Sequence, residues 1–466
     1  MALRWSMKAA AALVLAAGCV LSLLANLPGH LSYDSILQLA QGRSGVFNTW
    51  HPPVMAWLLG VFDALLPGTG LFVALDTLLL YGALAALLLL PGRARWPAVA
   101  LAVFWVLSPQ GLIYPGIVWK DVLFAAAALA GFAALAHAAV RWERRAPRWL
   151  LLAAAVALWT LAALARQNGL IALVFGAVAI GWIAWRHGAP RRLAPAAGLA
   201  AAALAAAGLV MALATAAFVA HSDGEPAQRY QLLDLQAYDL AYAARADPAV
   251  RLDRLAAADP TLERLIRTDA ARAYSRIRID PLVADEDLQE ALHAAPPRLM
   301  RAQWLQLMAR RPDLYLRARL TAFDSVFLIP DIAECVPVFV GVSGPEDWLA
   351  RLHIAEREDR TDHALRVYGD SLIHTPVFSH LAFAALALVV LMLLLRRRAP
   401  ADPAVAALLV SALGFTGSFL VLSIACDYRY LYFLDVSALA AGLYLASTTG
   451  RPERQEPARP KSVSPS

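Results

Sequence analysis

Seven side chains in this sequence have types that do chemistry and sit in short polar breaks between apolar runs: Asp34, His51, Lys120, Asp121, Arg166, Tyr428 and Arg429. The first break reads Pro28-Gly-His-Leu-Ser-Tyr-Asp34 and ends in Trp50-His51-Pro52-Pro53. The second ends in Trp119-Lys120-Asp121, the third is Arg166-Gln167-Asn168-Gly169, and the fourth is Asp427-Tyr428-Arg429-Tyr430. Carboxylates beside cations suit an anionic substrate whose nucleophile must lose a proton or meet a metal. Each residue also has a plainer reading. Asp34 would serve as a helix-capping or solvated loop charge, with Ser32 capping a short helix. Asp121 would favour a helix N-terminus, with Lys120 reaching back to the interface. Arg166 either holds a phosphate bidentately or anchors a turn against a carboxylate. The Asp427–Tyr432 turn reads as an aromatic belt with a local ion pair, or as a closure over a phosphate or sugar.

The elements that must position these residues are membrane helices. The 466 residues are 60% hydrophobic and 16% charged, with a mean hydropathy of +0.56. Soluble domains carry roughly 25% charged residues, so a soluble enzyme, a disordered chain and a disulfide scaffold are excluded. Apolar runs at 8–27, 70–90, 97–113, 121–140, 149–165, 168–185, 194–220, 375–395, 404–426 and 430–447 predict ten spans of about 20 residues each. Between Ala220 and His374 lie 25 of the 35 acidic residues and 19 of the 41 basic ones, leaving 10 acidic and 22 basic elsewhere. That middle segment has no spanning run and reads as an inserted, mainly helical extracytoplasmic domain. Of the 22 basic residues outside it, 18 fall on one side of the ten spans, which the positive-inside rule makes cytoplasmic. Arg43, Lys120, Arg166 and Arg429 fall on the other side and require a local reason.

The organisation expected is therefore a seven-span module over 1–219 and an extracytoplasmic domain over 220–374. A three-span module over 375–448 and a disordered cytoplasmic tail over 449–466 follow, with both termini cytoplasmic. The 52–66 stretch is too short to span, and counting it would destroy the charge bias. It reads as an interfacial helix with Trp57 and Phe62 toward lipid. The first helix resembles a signal peptide, but nine further spans argue that it is retained. Cys335 and Cys426 fall on the oxidising side, yet the three cysteines make no motif and no disulfide is expected. Asp76 is read as the one clear mid-helix carboxylate. In the inserted domain, 230–246 and 312–328 have helical spacing, and Asp259-Pro260-Thr261 reads as a helix start. Six arginines between Arg298 and Arg319 read as a solvated helix face, or as an anionic acceptor surface.

Together, the Tyr-Asp…Trp-His-Pro-Pro, Trp-Lys-Asp, Arg-x-Asn-Gly and Asp-Tyr-Arg-Tyr segments, on this span order, resemble the GT-C superfamily of integral membrane glycosyltransferases. That superfamily includes aminoarabinose and protein mannosyl transferases, and the likeness is to its bacterial members. It covers the ten spans well and the inserted domain poorly. The resemblance implies inverting transfer of a sugar from a polyprenyl-phosphate carrier to an acceptor (lipid, glycan or protein) outside a bacterial inner membrane. Asp34 matches the acid that activates the acceptor, and Asp121 a second acid that in some members helps hold Mg or Mn. Lys120, Arg166 and Arg429 are assigned to the lipid phosphate by their chemistry, with His51 and Tyr428 lining the substrate. Many members carry an acidic pair in the first loop where this chain has one acid, so metal use stays open. A flippase or transporter of lipid-linked sugar would need the cations but no base. A surface-polysaccharide polymerase or ligase would share the carrier.

Overall fold

A computed structural model describes residues 6–188, 193–222 and 228–449. Among them the chain is helical, with isolated β-bridges and no strand. The first helices are α1 (Met7–Asn26), α2 (Tyr33–Ser44), α3 (Val54–Leu65), α4 (Gly70–Leu88) and α5 (Trp96–Leu107). Next come α6 (Lys120–Val140), α7 (Arg145–Ala165), α8 (Leu170–His187) and α9 (Leu193–Val219). The inserted segment includes α10 (Gln228–Ala246), α11 (Pro297–Arg310) and α12 (Pro312–Phe327), and the chain closes with α13 (His380–Arg397), α14 (Asp402–Leu422) and α15 (Tyr432–Ser447). Among the described residues nine helical segments are long and apolar enough to cross a membrane, which makes this a multi-pass membrane protein. Of the tail expected to be disordered, 449–466, residues 450–466 lie outside the described residues, as do the basic residues Arg4, Arg191 and Arg192.

The third expected span, 97–113, is not one straight helix. α5 stops at Leu107, and Pro109–Gly116 turns away by 68°. Proline lacks the amide that would continue the ladder, and it forces Ser108 into an extended conformation (ψ 147°). The Ser108 hydroxyl then accepts from the Gly111 amide and starts a new turn. The bent pair still carries the chain from one end of the bundle to the other. At one end Lys8 donates to the Leu90 and Gly92 carbonyls, Arg93 bridges to Thr449, and Arg186 donates to the Arg398 carbonyl. At the other end, Ser22 and Asn26 donate to the Leu112 carbonyl, and His30 bridges to Ile117. Counting the bent pair once gives ten passes, and the basic clusters that are described gather at the first of these ends.

Inside the bundle, α6 and α15 are buried on almost every side. The alanine run of α6 and the small residues Ala438, Ala440, Ala441 and Gly442 of α15 let neighbouring helices approach closely. Trp159 on α7 seats against Gly131 and Gly176, where a Cβ would fall within 3 Å of its ring. Outside it, α3 is the short apolar helix expected at 52–66. Trp57 points outward, whereas Phe62 is half-buried and packs on the core. Asp63, the charge inside that apolar stretch, takes a bidentate pair from Arg43 at 2.9 and 2.8 Å. That is the local reason Arg43 required.

The inserted segment feeds two cores. Residues 233–322 close around Leu233, Tyr238, Leu255, Leu262, Leu288 and Met300. Val326, Cys335, Val340, Leu349 and Leu365 join the core of the bundle instead. The expected helices at 230–246 and 312–328 are α10 and α12, and Asp259 caps Pro260–Leu265 by accepting from the Leu262 amide at 2.9 Å. Against expectation, Cys335 and Cys426 form a disulfide, their Cα atoms 5.2 Å apart. Sequence spacing could not show that a turn 91 residues away would bring them within bonding reach.

Arg319 fastens the two cores together. It is buried, pairs with Asp239, and donates to the Val421 and Ser423 carbonyls at 2.9 and 3.0 Å, at the end of α14. Asp239 also accepts from the Trp304 indole at 2.8 Å. Removing one member strands a buried charge, so Asp239→Asn is expected to cost about 3 kcal/mol. The double variant Asp239→Asn/Arg319→Met should recover most of that loss. Thermal unfolding of the detergent-solubilised protein measures both.

Candidate functional site

The four polar breaks converge at one end of the bundle. α2 begins at Tyr33 because Ser32 is extended and its amide donates to the Ser35 hydroxyl at 3.2 Å, which places Asp34 in the first turn. Asp34 faces the last of the breaks, where Arg429 Nη2 donates to its Oδ2 at 2.8 Å. The same guanidinium reaches Asp427 through Nε at 2.7 Å and approaches Asp121 at 3.7 Å. It lies 4.5 Å over the Trp119 ring, whose indole donates to Ser32 at 2.8 Å. Stacking on an aromatic face suits a guanidinium more than an ammonium.

A second chain of contacts runs from α6. Lys120 Nζ donates to His51 Nδ1 at 2.6 Å, which turns the protonated Nε2 toward Asp34 at 3.5 Å. Burial first, and then the Lys120 charge, lower the His51 pKa, so this imidazole is neutral at pH 7. Arg166, at the head of the turn between α7 and α8, pairs with Asp121. Its guanidinium stands 5.5 Å from each of the Phe415, Phe419 and Tyr430 rings. Its Nε is buried without a hydrogen-bond partner among the described residues. An open donor in an aromatic collar is suited to an anion.

Of the seven sequence-derived candidates, Asp34, His51, Lys120, Asp121, Arg166 and Arg429 form one cluster. Tyr428 does not join it. Its ring is buried in the bundle, where its hydroxyl donates to Asp435 at 2.6 Å and accepts from Gln110 at 2.7 Å. In a turn this tight, neighbouring side chains point to opposite sides, and Arg429 takes the open one. Asp435, which pairs with His380 at 2.9 Å, is also a buried carboxylate within a span, as Asp76 is.

Two members of the site went unrecognised in the sequence, Asp427 and Trp119. Asp427 stands two residues from Arg429, and that spacing was its available signal. Nothing in the sequence indicated that Trp119 would lie beneath a guanidinium 310 positions on.

The cluster is electrically balanced. Asp34, Asp121 and Asp427 face Lys120, Arg166 and Arg429. Burial alone would raise the Asp34 pKa, but the Arg429 charge, His51 and Lys120 together outweigh it and hold the carboxyl well below the usual range. Asp427 goes the other way. Burial pushes it up to about 6 against the pull of Arg429. Asp34 and Asp121, the two carboxylates expected to hold a divalent cation if one is used, are each paired with an arginine.

Beside the cluster an apolar groove of about 590 Å³ runs between α3, α7 and α9. Val54 and Trp57, just past His51, lie at one end, and its walls include Leu164, Leu152 and Trp149 along α7. Comparison with protein-family models, curated proteins and solved structures finds no match to this chain.

The balance predicts a pH effect with a definite sign. As pH falls through about 6, Asp427 takes up a proton and the cluster gains one positive charge. Affinity for sulfate, which stays divalent across this range, should therefore rise from pH 7.5 to 5. Asp427→Asn should bind sulfate more tightly than the wild type at pH 7.5 and show a smaller rise on going to pH 5. Isothermal titration of the detergent-purified protein reads the difference.

Proposed function

We propose that the chain transfers a sugar from a polyprenyl-phosphate carrier to an acceptor at the site end of the bundle. The observation that carries this reading is the convergence of three carboxylates and three cations from four distant breaks, beside an apolar groove. A lipid phosphate offers an anion for the cations and a long apolar chain for the groove. The disulfide favours an oxidising compartment at this end, and the basic clusters favour the cytoplasm at the other. On this reading the GT-C resemblance, the bacterial inner membrane and the cytoplasmic termini belong together.

The chemistry follows from the charges. The acceptor oxygen attacks the anomeric carbon of the sugar from the face opposite the phosphate, and the bond from that carbon to the phosphate oxygen breaks. Configuration is thereby inverted. The departing phosphate is already ionised, so it needs Lys120, Arg166 and Arg429 rather than a general acid. The acceptor proton goes to Asp34. In the free protein Arg429 keeps that carboxylate a weak base. A phosphate that draws Arg429 toward itself returns basicity to Asp34 in the same step. His51, neutral and held by Lys120, keeps Asp34 oriented. Transport fits the arrangement less well, because the cluster sits at one end of the bundle. The layer beneath it is filled by Tyr114 stacked on Tyr432 at 4.8 Å and by Tyr428.

Native mass spectrometry of the detergent-purified protein, supplied with polyprenyl phosphate, tests the reading. A bound polyprenyl phosphate or its sugar ester is expected, and Arg166→Ala should lose it. Asp34→Asn should keep the lipid and lower transfer by about 10²–10⁴-fold. Full transfer activity in that variant would remove Asp34 from the catalytic role. Failure to bind any polyprenyl phosphate would remove the carrier.

A further inference from the structure

One helix of the inserted segment carries an apolar stripe on its outward face. On α12, Leu316 and Leu320 are more than half exposed, and Phe323 and Phe327 continue the same line. The spacing i, i+4, i+7, i+11 keeps all four on one face. The opposite face, Leu314, Ala318, Ala322 and Val326, is buried. Phe323 and Phe327 stack at 5.3 Å and pack partly against the core of the bundle, and Leu328 beyond them is again exposed. A helix with both faces apolar is not finished by the contacts it makes within the chain.

The level of this helix is fixed by Arg319. Its guanidinium is bound to the carbonyls of Val421 and Ser423 at the end of the membrane-spanning α14. The last residues of α14, Leu420, Val421 and Leu422, are themselves outward-facing and exposed. The stripe on α12 therefore begins where the lipid-facing surface of α14 ends. Charge points the same way. Arg310, Arg311 and Arg319 all have carboxylate partners. Arg317, exposed between Leu316 and Leu320, forms no ion pair among the described residues.

We propose that α12 is an interfacial helix that rests in the membrane surface. Leu316, Leu320 and Leu328 would lie at the boundary of headgroups and acyl chains, and Arg317 on anionic headgroups. The inserted segment is then moored to the bilayer as well as to the bundle. This inference does not depend on the sugar-transfer reading.

Nitroxide labelling of the full chain in lipid nanodiscs tests it. In a Cys19→Ala background, which leaves the Cys335–Cys426 pair intact, single labels are placed at Leu316→Cys, Leu320→Cys and, as a reference, Glu286→Cys. In discs of phosphatidylcholine with phosphatidylglycerol, labels at 316 and 320 should collide less with a water-soluble nickel chelate than the label at 286. They should collide more with oxygen. Arg317→Gln should weaken that protection in the anionic discs. Labels at 316 and 320 as open to nickel as that at 286 would overturn the proposal. So would dipolar broadening between copies, which would assign the stripe to a second molecule. Either of the two stripe positions decides the question if the other variant fails to fold.

Discussion

The structure turns on one guanidinium. Arg429 holds Asp34 from the first break, Asp427 from its own turn and, more distantly, Asp121 from the head of α6, while Trp119 lies beneath its plane. A buried cation of this kind is tolerable only if its charge and its donors are met. Meeting them draws three separate segments of the chain to one point. The remaining contacts follow from that. His51 must stand where Asp34 is, Lys120 must turn to His51, and Arg166 is left to balance Asp121. In the resting state each of the three carboxylates has an arginine within reach, and Lys120 is held by His51.

The positions of the main elements were legible in the sequence for a simple reason. Ten apolar runs and an asymmetric distribution of arginine are one-dimensional signals, and the bilayer imposes them directly. The site was legible through exceptions to the same rule. Lys120, Arg166 and Arg429 were conspicuous because they fell on the end poor in basic residues, and all three meet there. Arg43 was conspicuous for the same reason but is satisfied by Asp63, away from the cluster.

What could not be read depended on pairing in three dimensions. Tyr428 sits between two site residues and yet faces the bundle interior, because a turn of one helical step sends adjacent side chains in different directions. The Cys335–Cys426 bond depends on how the inserted segment returns to the bundle, which no spacing records. The break at Ser108-Pro109 was visible as a proline, but its position inside an unbroken apolar run concealed it. The division of the inserted segment between two cores was equally hidden, since net charge reports exposure to water and not the partner of a buried leucine.

The packing of α2 against α3 carries a further consequence. Gly42 and Gly60 bring the two helices into backbone contact, so close that a Cβ on either would fall 2.3 Å from a carbonyl oxygen of the other. Asp34 stands at the start of α2 and His51 just before α3. Their separation, 3.5 Å, is thus set by two glycines further along both helices, with Arg43 and Asp63 clamping the pair beyond them. The nine residues that join the two helices act as a tether. The placing of Asp34 against His51 is gauged by the closest approach of two backbones, and a single methyl group added there would be felt at the carboxylate as a change of angle.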